Sequence, residues 1–173
     1  LDAPPARADF TFGEPINCGF PPGVNSVTDC PVCLSGDGLE MYITSPRGGG
    51  QGGVDIWVWK RASGDDDWGP PENLGPVVNS ASNEYFSFIT GDGLELYFYS
   101  DRPGGSSTFN IYVTKRATRT DPWGPATNVG PKVNGNGPYD EALPTLSPDG
   151  LELYFMSIRP GGCGSWDLYV SKR

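Results

Sequence analysis

Leu146–Gly162 reads LSPDGLELYFMSIRPGG, and two earlier stretches are variants of it: Leu34–Gly50, LSGDGLEMYITSPRGGG, and Ile89–Gly105, ITGDGLELYFYSDRPGG. Aligned on Gly38, Gly93 and Gly150, which stand 55 and 57 residues apart, the agreement extends well outside these stretches. Nine residues before each glycine is an acid (Asp29, Glu84, Glu141), and nine after it is an arginine (Arg47, Arg102, Arg159). Seventeen after comes Asp55, Asn110 or Asp167, each followed by an apolar–aromatic pair; six further on is Arg61, Arg116 or Arg173. Upstream, Phe12-Gly13, Trp68-Gly69 and Trp123-Gly124 lead five residues later to Asn17, Asn73 and Asn128, and GVNS, VVNS and KVNG close the segment. So many positions in one phase define a threefold internal repeat.

Each unit reads as four strands. An inner strand such as ALPTLS meets an Asp-Gly turn, where Gly takes φ > 0 without steric cost and suits a tight hairpin. The second strand, LELYFMS, alternates its side chains between two faces. The RPGG turn reverses the chain into a third strand: DIWVWK, NIYVTK or DLYVSK. A Pro-rich fourth (WGPPENLG) belongs on the rim, because Pro cannot donate to a central ladder. Four-stranded sheets at this period predict an all-β fold, a β-propeller. Residues 12–67, 68–122 and 123–173 are its three repeats, and residues 1–11 read as an N-terminal leader, left by signal removal or cut from a longer precursor.

The run SPDG-LELYFMS-RPGG-DLYVSKR resembles the WD-like propeller repeat of the TolB group, common in secreted and periplasmic bacterial proteins. The resemblance covers nearly all of residues 12–173. It implies a propeller outside the cytoplasm and names no single function, because that repeat serves binding modules, scaffolds and some polysaccharide-active enzymes alike.

FGEPINCG, near the start, has the fourth-strand pattern, and DLYVSKR, at the end, the third-strand pattern. Strands therefore count 4-1-2-3 in each unit, which leaves the N-terminal strand available to complete an open blade and hide its edge. Propellers typically have about 4–8 blades. Three predict company: either two chains close a six-bladed ring about a two-fold axis, or the blades belong to a longer propeller or dock on other subunits.

The composition agrees with short twisted strands: 25 Gly and 18 Pro for turns, with 8 Tyr, 8 Phe and 5 Trp. Net charge is −9, and nine of the 12 basic residues sit in repeated positions, which leaves few cations for a phosphate-tracking patch and argues against nucleic acid. No apolar run approaches the length of a membrane-spanning helix. Four cysteines predict one or two disulfides in an oxidising compartment, among Cys18, Cys30, Cys33 and Cys163, although thiols buried in a reduced protein read the same way. Cys30-Pro-Val-Cys33 lies at a strand start, not a helix N-terminus, and the four cysteines are wrongly spaced for a zinc site built from thiolates alone.

Asp29, Glu84 and Glu141, with Asp140 beside the last, enter the innermost strand, so in a propeller they would ring the mouth of the channel. Such hard oxygen ligands would suit Ca²⁺ or another cation; the competing reading is that each caps a turn or pairs with an arginine of a neighbouring blade. Arg47, Arg102 and Arg159 repeat together with Asp55, Asn110 and Asp167, which predicts a structural pair between the RPGG turn and the third strand. Trp68, Trp123 and Phe12 read as packing anchors between blades, with stacking on sugar rings as the lesser use. There is no histidine, hence no Ser-His-Asp or Cys-His arrangement. RGGGQGG is a turn, not a phosphate loop. Carboxylates alone can cleave glycosides, but nothing in the sequence sets two at the needed separation.

The expectation is a non-catalytic propeller that binds protein or acts as a scaffold in a multi-chain assembly, periplasmic or secreted, with no cofactor. The alternative is a carbohydrate-binding or polysaccharide-active propeller using the acids at the channel mouth.

Overall fold

The structure is a computed structural model that describes residue 14 and residues 30–173, with side chains from residue 33 onward in the latter stretch. Three antiparallel sheets follow one another along the chain. The first holds β1 (Cys30–Leu34), β2 (Glu40–Ser45), β3 (Asp55–Lys60) and β4 (Glu72–Asn73), paired in that order. The second holds β5 (Glu84–Ile89), β6 (Glu95–Ser100), β7 (Asn110–Lys115) and β8 (Thr127–Asn128). The third holds β9 (Glu141–Leu146), β10 (Glu152–Ser157) and β11 (Asp167–Lys172). The rim strands β4 and β8 contain two residues each, because prolines at 70–71 and at 122 and 125 stop the ladder from running further.

The Asp-Gly turns are longer than two-residue hairpins. In the first, the Ser35 amide closes on the Glu40 carbonyl, and Gly38 sits at φ 71°. Asp37 Oδ1 meanwhile accepts the Leu39 amide at 3.1 Å and the Ser35 hydroxyl at 2.7 Å. Asp92 and Asp149 repeat the arrangement. The aspartate therefore builds the turn by mimicking a backbone carbonyl, and the glycine supplies the left-handed residue.

Each first strand carries a bulge, between Cys30 and Cys33, Tyr85 and Phe88, and opposite Tyr154–Met156. In the second and third sheets Phe86 (φ 41°) and Leu143 (φ 52°) occupy positive φ at this point. A bulge increases local twist and bends the strand.

The sheets stack face against face. Tyr42, Ile56 and Val58 of the first meet Ile89, Leu96, Phe98 and Tyr112 of the second, with Val78 of the connecting segment between them. Tyr97, Ile111 and Val113 of the second meet Leu146 and Phe155 of the third, with Val133 in the same place. The first strands of neighbouring sheets are adjacent, β1 to β5 and β5 to β9. A helical turn, α1 (Pro131–Asn134), takes in the KVN of KVNG; the strand pattern gives no sign of it, and Pro131 at its first position presets φ. Residues 75–79 make the same turn, with the Val78 and Asn79 amides both on the Gly75 carbonyl.

Candidate functional site: an interaction surface

The acids expected at a channel mouth are not free to hold a ligand. Glu84 is fully buried. It takes Arg102 at 2.8 Å, the Ser80 hydroxyl at 2.6 Å and the Ser100 hydroxyl at 3.2 Å. Glu141, equally buried, takes Arg159 at 2.9 Å and the Ser157 hydroxyl at 3.2 Å, and its Oε2 has no hydrogen-bond partner among the described residues. Burial pushes the Glu84 carboxyl up against the pull of Ser80 and Arg102. It pushes Glu141 up to about 7, against Arg159. Asp140 accepts the Phe109 amide at 2.9 Å and so ties the third sheet to the second. Asp29 lies outside the described residues, and among those described no group of three or more potential metal-ligating side chains is found.

Arg102 and Arg159 therefore meet the acids of β5 and β9, and not Asn110 and Asp167. This corrects the pairing expected from the repeat. The reason is reach: each guanidinium lies over the aromatic pair of its own sheet, Arg102 on Phe98 and Tyr112, Arg159 on Phe155 and Tyr169. That position points it at the inner strand and at a carbonyl of the connecting segment, Val78 or Val133. Arg47 lies over Trp57 and Trp59 and bonds the Ser45 hydroxyl. Asp55, Asn110 and Asp167 instead gather the Gly-rich turn. Asp55 accepts the Gln51 and Gly52 amides, Asn110 the Ser106 amide, and Asp167 those of Cys163 and Gly164.

Cys33 and Cys163 are free thiols among the described residues. The Cys33 sulfur accepts the Ile89 amide at 3.3 Å across the first two sheets, and burial pushes its thiol pKa up. Cys163 is exposed in its turn. Cys18, Phe12 and the Cys30 side chain lie outside the described residues.

What the repeat builds most consistently is the junction between sheets, and it has three parts. First comes a charge latch. Arg116, at the end of β7, reaches back to Glu40 at the start of β2 with two bonds of 3.1 and 2.6 Å, and also bonds the Gly93 carbonyl. It lies 4.4 Å over the Trp123 ring, which meets Tyr42 of the first sheet edge-on. Arg173, at the end of β11, bonds the Gly150 carbonyl and reaches Glu95 at 3.4 Å. Second is a buried asparagine. Asn79 accepts the Ile56 amide (2.9 Å) and donates to the Ile56 carbonyl (3.0 Å) and to Asn73 (3.0 Å). Asn134 does the same to Ile111 and Asn128, at 2.8 Å throughout. The third part is the rim strand itself, Asn73 against Trp57 and Glu72 against Val58, then Asn128 against Tyr112 and Thr127 against Val113. The sequence shows the positions of Asn79 and Asn134 in VVNS and KVNG, but not that the amide stands in for a strand residue.

The third sheet carries the same residues with nothing set against them among the described residues. Leu168 is 70% exposed, whereas its equivalents Ile56 and Ile111 are both at 0%. Val170 is 47% exposed, against 2% and 7% for Val58 and Val113. Tyr154, Leu151 and Trp166 are exposed as well. Among the described residues β11 pairs only with β10, so its outer backbone edge is open there. Glu152 has the Tyr154 hydroxyl at 2.6 Å and Lys172 at 2.7 Å, as Glu95 has Tyr97 and Lys115, but no described arginine reaches it from a following sheet. At the opposite end of the molecule Arg61 bonds the Gly38 and Gly64 carbonyls and lies over Trp68, with no carboxylate partner among the described residues. The third sheet thus presents an apolar face and, among the described residues, an unpaired backbone edge, with charged side chains around them.

No protein-family model matches the sequence, and no curated protein does. Among solved structures, the crystal structure of TolB from Acinetobacter baumannii matches 82% of this chain at a TM-score of 0.54 and 20% identity, over 29% of its own length. Putative TolB from Agrobacterium tumefaciens matches 76% at a TM-score of 0.50 and 19% identity, over 40% of its length. The chain thus has a TolB-like fold and spans less than half the length of either protein.

Proposed function

We propose that this chain is a non-catalytic, protein-binding module of a β-propeller, with three four-stranded blades phased 4-1-2-3, acting outside the cytoplasm as part of a multi-chain assembly. The observation that carries this reading is the exposed face and open edge of the third sheet, built from residues that are buried between the other sheets. An extracytoplasmic site rests on the resemblance of the repeat to the TolB group, and no helix among the described residues is long and apolar enough to cross a membrane. A binding role is favoured over catalysis because Glu84 and Glu141 are each engaged by an arginine in a buried pair.

A photo-crosslinking residue at position 168 tests the reading. We expect a polypeptide adduct at Leu168 under native conditions and none at Lys132, an exposed residue outside the surface. If Leu168 captures no polypeptide, neither this chain nor any other, the binding reading falls.

A further inference from the structure

We propose that Asn136 is a modification site: in the folded protein its side-chain amide is lost spontaneously to water, leaving an aspartyl or isoaspartyl residue and one further negative charge. Two Asn-Gly pairs, Asn134-Gly135 and Asn136-Gly137, follow one another directly between the second and third sheets. Asparagine is a chemically labile residue. Its amide is lost most readily before glycine, because the attacking atom is the next backbone nitrogen and glycine has no Cβ to hinder the approach. The two pairs are alike in sequence, so their surroundings decide which of them reacts.

Asn134 is locked. It is buried, and its side chain accepts the Ile111 amide while donating to the Ile111 carbonyl and to Asn128, each at 2.8 Å. Its Cγ cannot swing onto the Gly135 nitrogen until all three bonds break. Asn136 is exposed, and neither its side chain nor the Gly137 amide has a hydrogen bond among the described residues. The chain is fastened on both sides of this pair by the turn that precedes β7. The Ser106 hydroxyl bonds the Asn134 carbonyl at 3.0 Å and the Gly135 carbonyl at 3.3 Å, and Asp140 accepts the Phe109 amide at 2.9 Å. Asn136–Tyr139 therefore form an arch between two fixed points. The second repeat has no such arch: Asn79 is followed by Ser80, whose amide and hydroxyl are both held by Glu84. The arch also keeps its glycine, since a Cβ at Gly137 would run into the Tyr139 ring.

The reaction needs only water and a base. Hydroxide or a buffer base takes the Gly137 amide proton, and the nitrogen attacks Cγ of Asn136. The bond from Cγ to the side-chain nitrogen breaks, and that nitrogen leaves as ammonia. The attack is intramolecular, so it gains from proximity once Cγ is free to turn toward the nitrogen. The product is a five-membered succinimide, which water opens at either ring carbonyl. Cleavage between Cγ and the Gly137 nitrogen gives aspartate. Cleavage between the Asn136 backbone carbonyl and the same nitrogen gives isoaspartate, whose main chain runs through Cβ and Cγ. No oxidant or reductant takes part. Isoaspartate lengthens the main chain by a single atom, which an arch held only at its ends absorbs. The fold is kept, with a new carboxylate four residues before Asp140.

The test is peptide mapping by mass spectrometry on the chain held for several weeks in mildly alkaline buffer, folded and, in parallel, unfolded in guanidinium chloride. Each conversion raises the mass by nearly one unit, and chromatography separates the aspartyl and isoaspartyl peptides. In the folded chain Asn136 should convert at least about 100-fold faster than Asn134, which must first break its three side-chain bonds. In the unfolded chain the two should convert at similar rates, and the Asn136 rate should rise with hydroxide concentration. Ion exchange should show a more acidic form growing with time, and Asn136→Gln should not produce it. Asn136→Asp should coelute with the aspartyl form and keep the circular dichroism spectrum of the unmodified chain. Equal conversion of Asn134 and Asn136 in the folded chain overturns the inference. So does a folded chain in which Asn136 stays intact while the unfolded chain converts it. An acidic form that accumulates just as fast in Asn136→Gln overturns it as well.

Discussion

Arg116→Ala and Arg173→Ala remove the same repeat position from two junctions, and the structure assigns them very different costs. The Arg116 side chain is 4% exposed and Glu40 is 10% exposed, joined by two bonds of 3.1 and 2.6 Å. Truncating Arg116 leaves the Glu40 carboxylate buried without its counter-charge, and such losses cost about 3–5 kcal/mol. Arg119 at 3.9 Å and the Tyr42 hydroxyl at 3.1 Å remain beside Glu40, which places the expected loss near the lower end, about 3 kcal/mol. Arg173 is 54% exposed and stands 3.4 Å from Glu95, which keeps Lys115 at 2.5 Å. An exposed pair of this kind is worth at most about 1 kcal/mol. Urea unfolding followed by both tryptophan fluorescence and circular dichroism reads the difference. With a slope of about 2.5 kcal/mol/M, the midpoint should fall by about 1.2 M for Arg116→Ala and by less than about 0.4 M for Arg173→Ala. Equal shifts for the two variants, or a shift for Arg116→Ala no larger than for Arg173→Ala, would refute burial as the source of the latch's strength.

Three further outcomes follow from the same geometry. Asn79→Ala and Asn134→Ala each leave a buried isoleucine amide without its acceptor, while the isoleucine carbonyl keeps the Leu74 or Val129 amide, so each should cost about 1–3 kcal/mol in urea unfolding, and Asn79→Asp should not restore the wild-type stability because it puts an acceptor against the Ile56 carbonyl. Glu141, raised to about 7 by burial, binds its proton more tightly in the folded chain than in the unfolded one; stability should therefore fall as pH rises from about 4.3 to 7, by roughly 3 kcal/mol in total, and the stability–pH curve of Glu141→Gln should lack that fall. Asp55→Asn should cost less than about 1 kcal/mol, since the second repeat already uses Asn110 in that place, whereas Asp55→Ala loses two turn amides and should cost about 2 kcal/mol.

The sheets were legible in the sequence because strand period, Asp-Gly turns and Pro-rich rims are local signals, and three copies in register multiply them. Glu84, Glu141, Arg102 and Arg159 were legible as positions but not as pairs. Two residues that repeat in phase look linked whether or not they touch, and Arg102 meets Glu84 and not Asn110 with its guanidinium lying over Phe98 and Tyr112, directed at the inner strand. The left-handed Phe86 and Leu143 have no sequence signal at all, since neither residue favours positive φ and the bulge imposes it. Asn79 and Asn134 hide for a different reason. An asparagine before Ser or Gly reads as a turn residue, and only the packed junction shows its amide bonded to both the backbone N–H and the carbonyl of one isoleucine.

The identity of a residue in this chain therefore fixes less of its energetics than does the presence of a neighbouring sheet. Val58, Val113 and Val170 are the same residue on the same strand position, and the first two are buried while the third is nearly half exposed. Exposing Val170 and Leu168 in place of burying them forgoes about 1.5–3 kcal/mol for each side chain. Glu40, Glu95 and Glu152 form a parallel series: an arginine held by two short bonds, an arginine at 3.4 Å, and none among the described residues. Apolar face, backbone edge and charge latch thus run out at the same sheet. Three independent kinds of interaction left open at one sheet support the binding reading proposed for it.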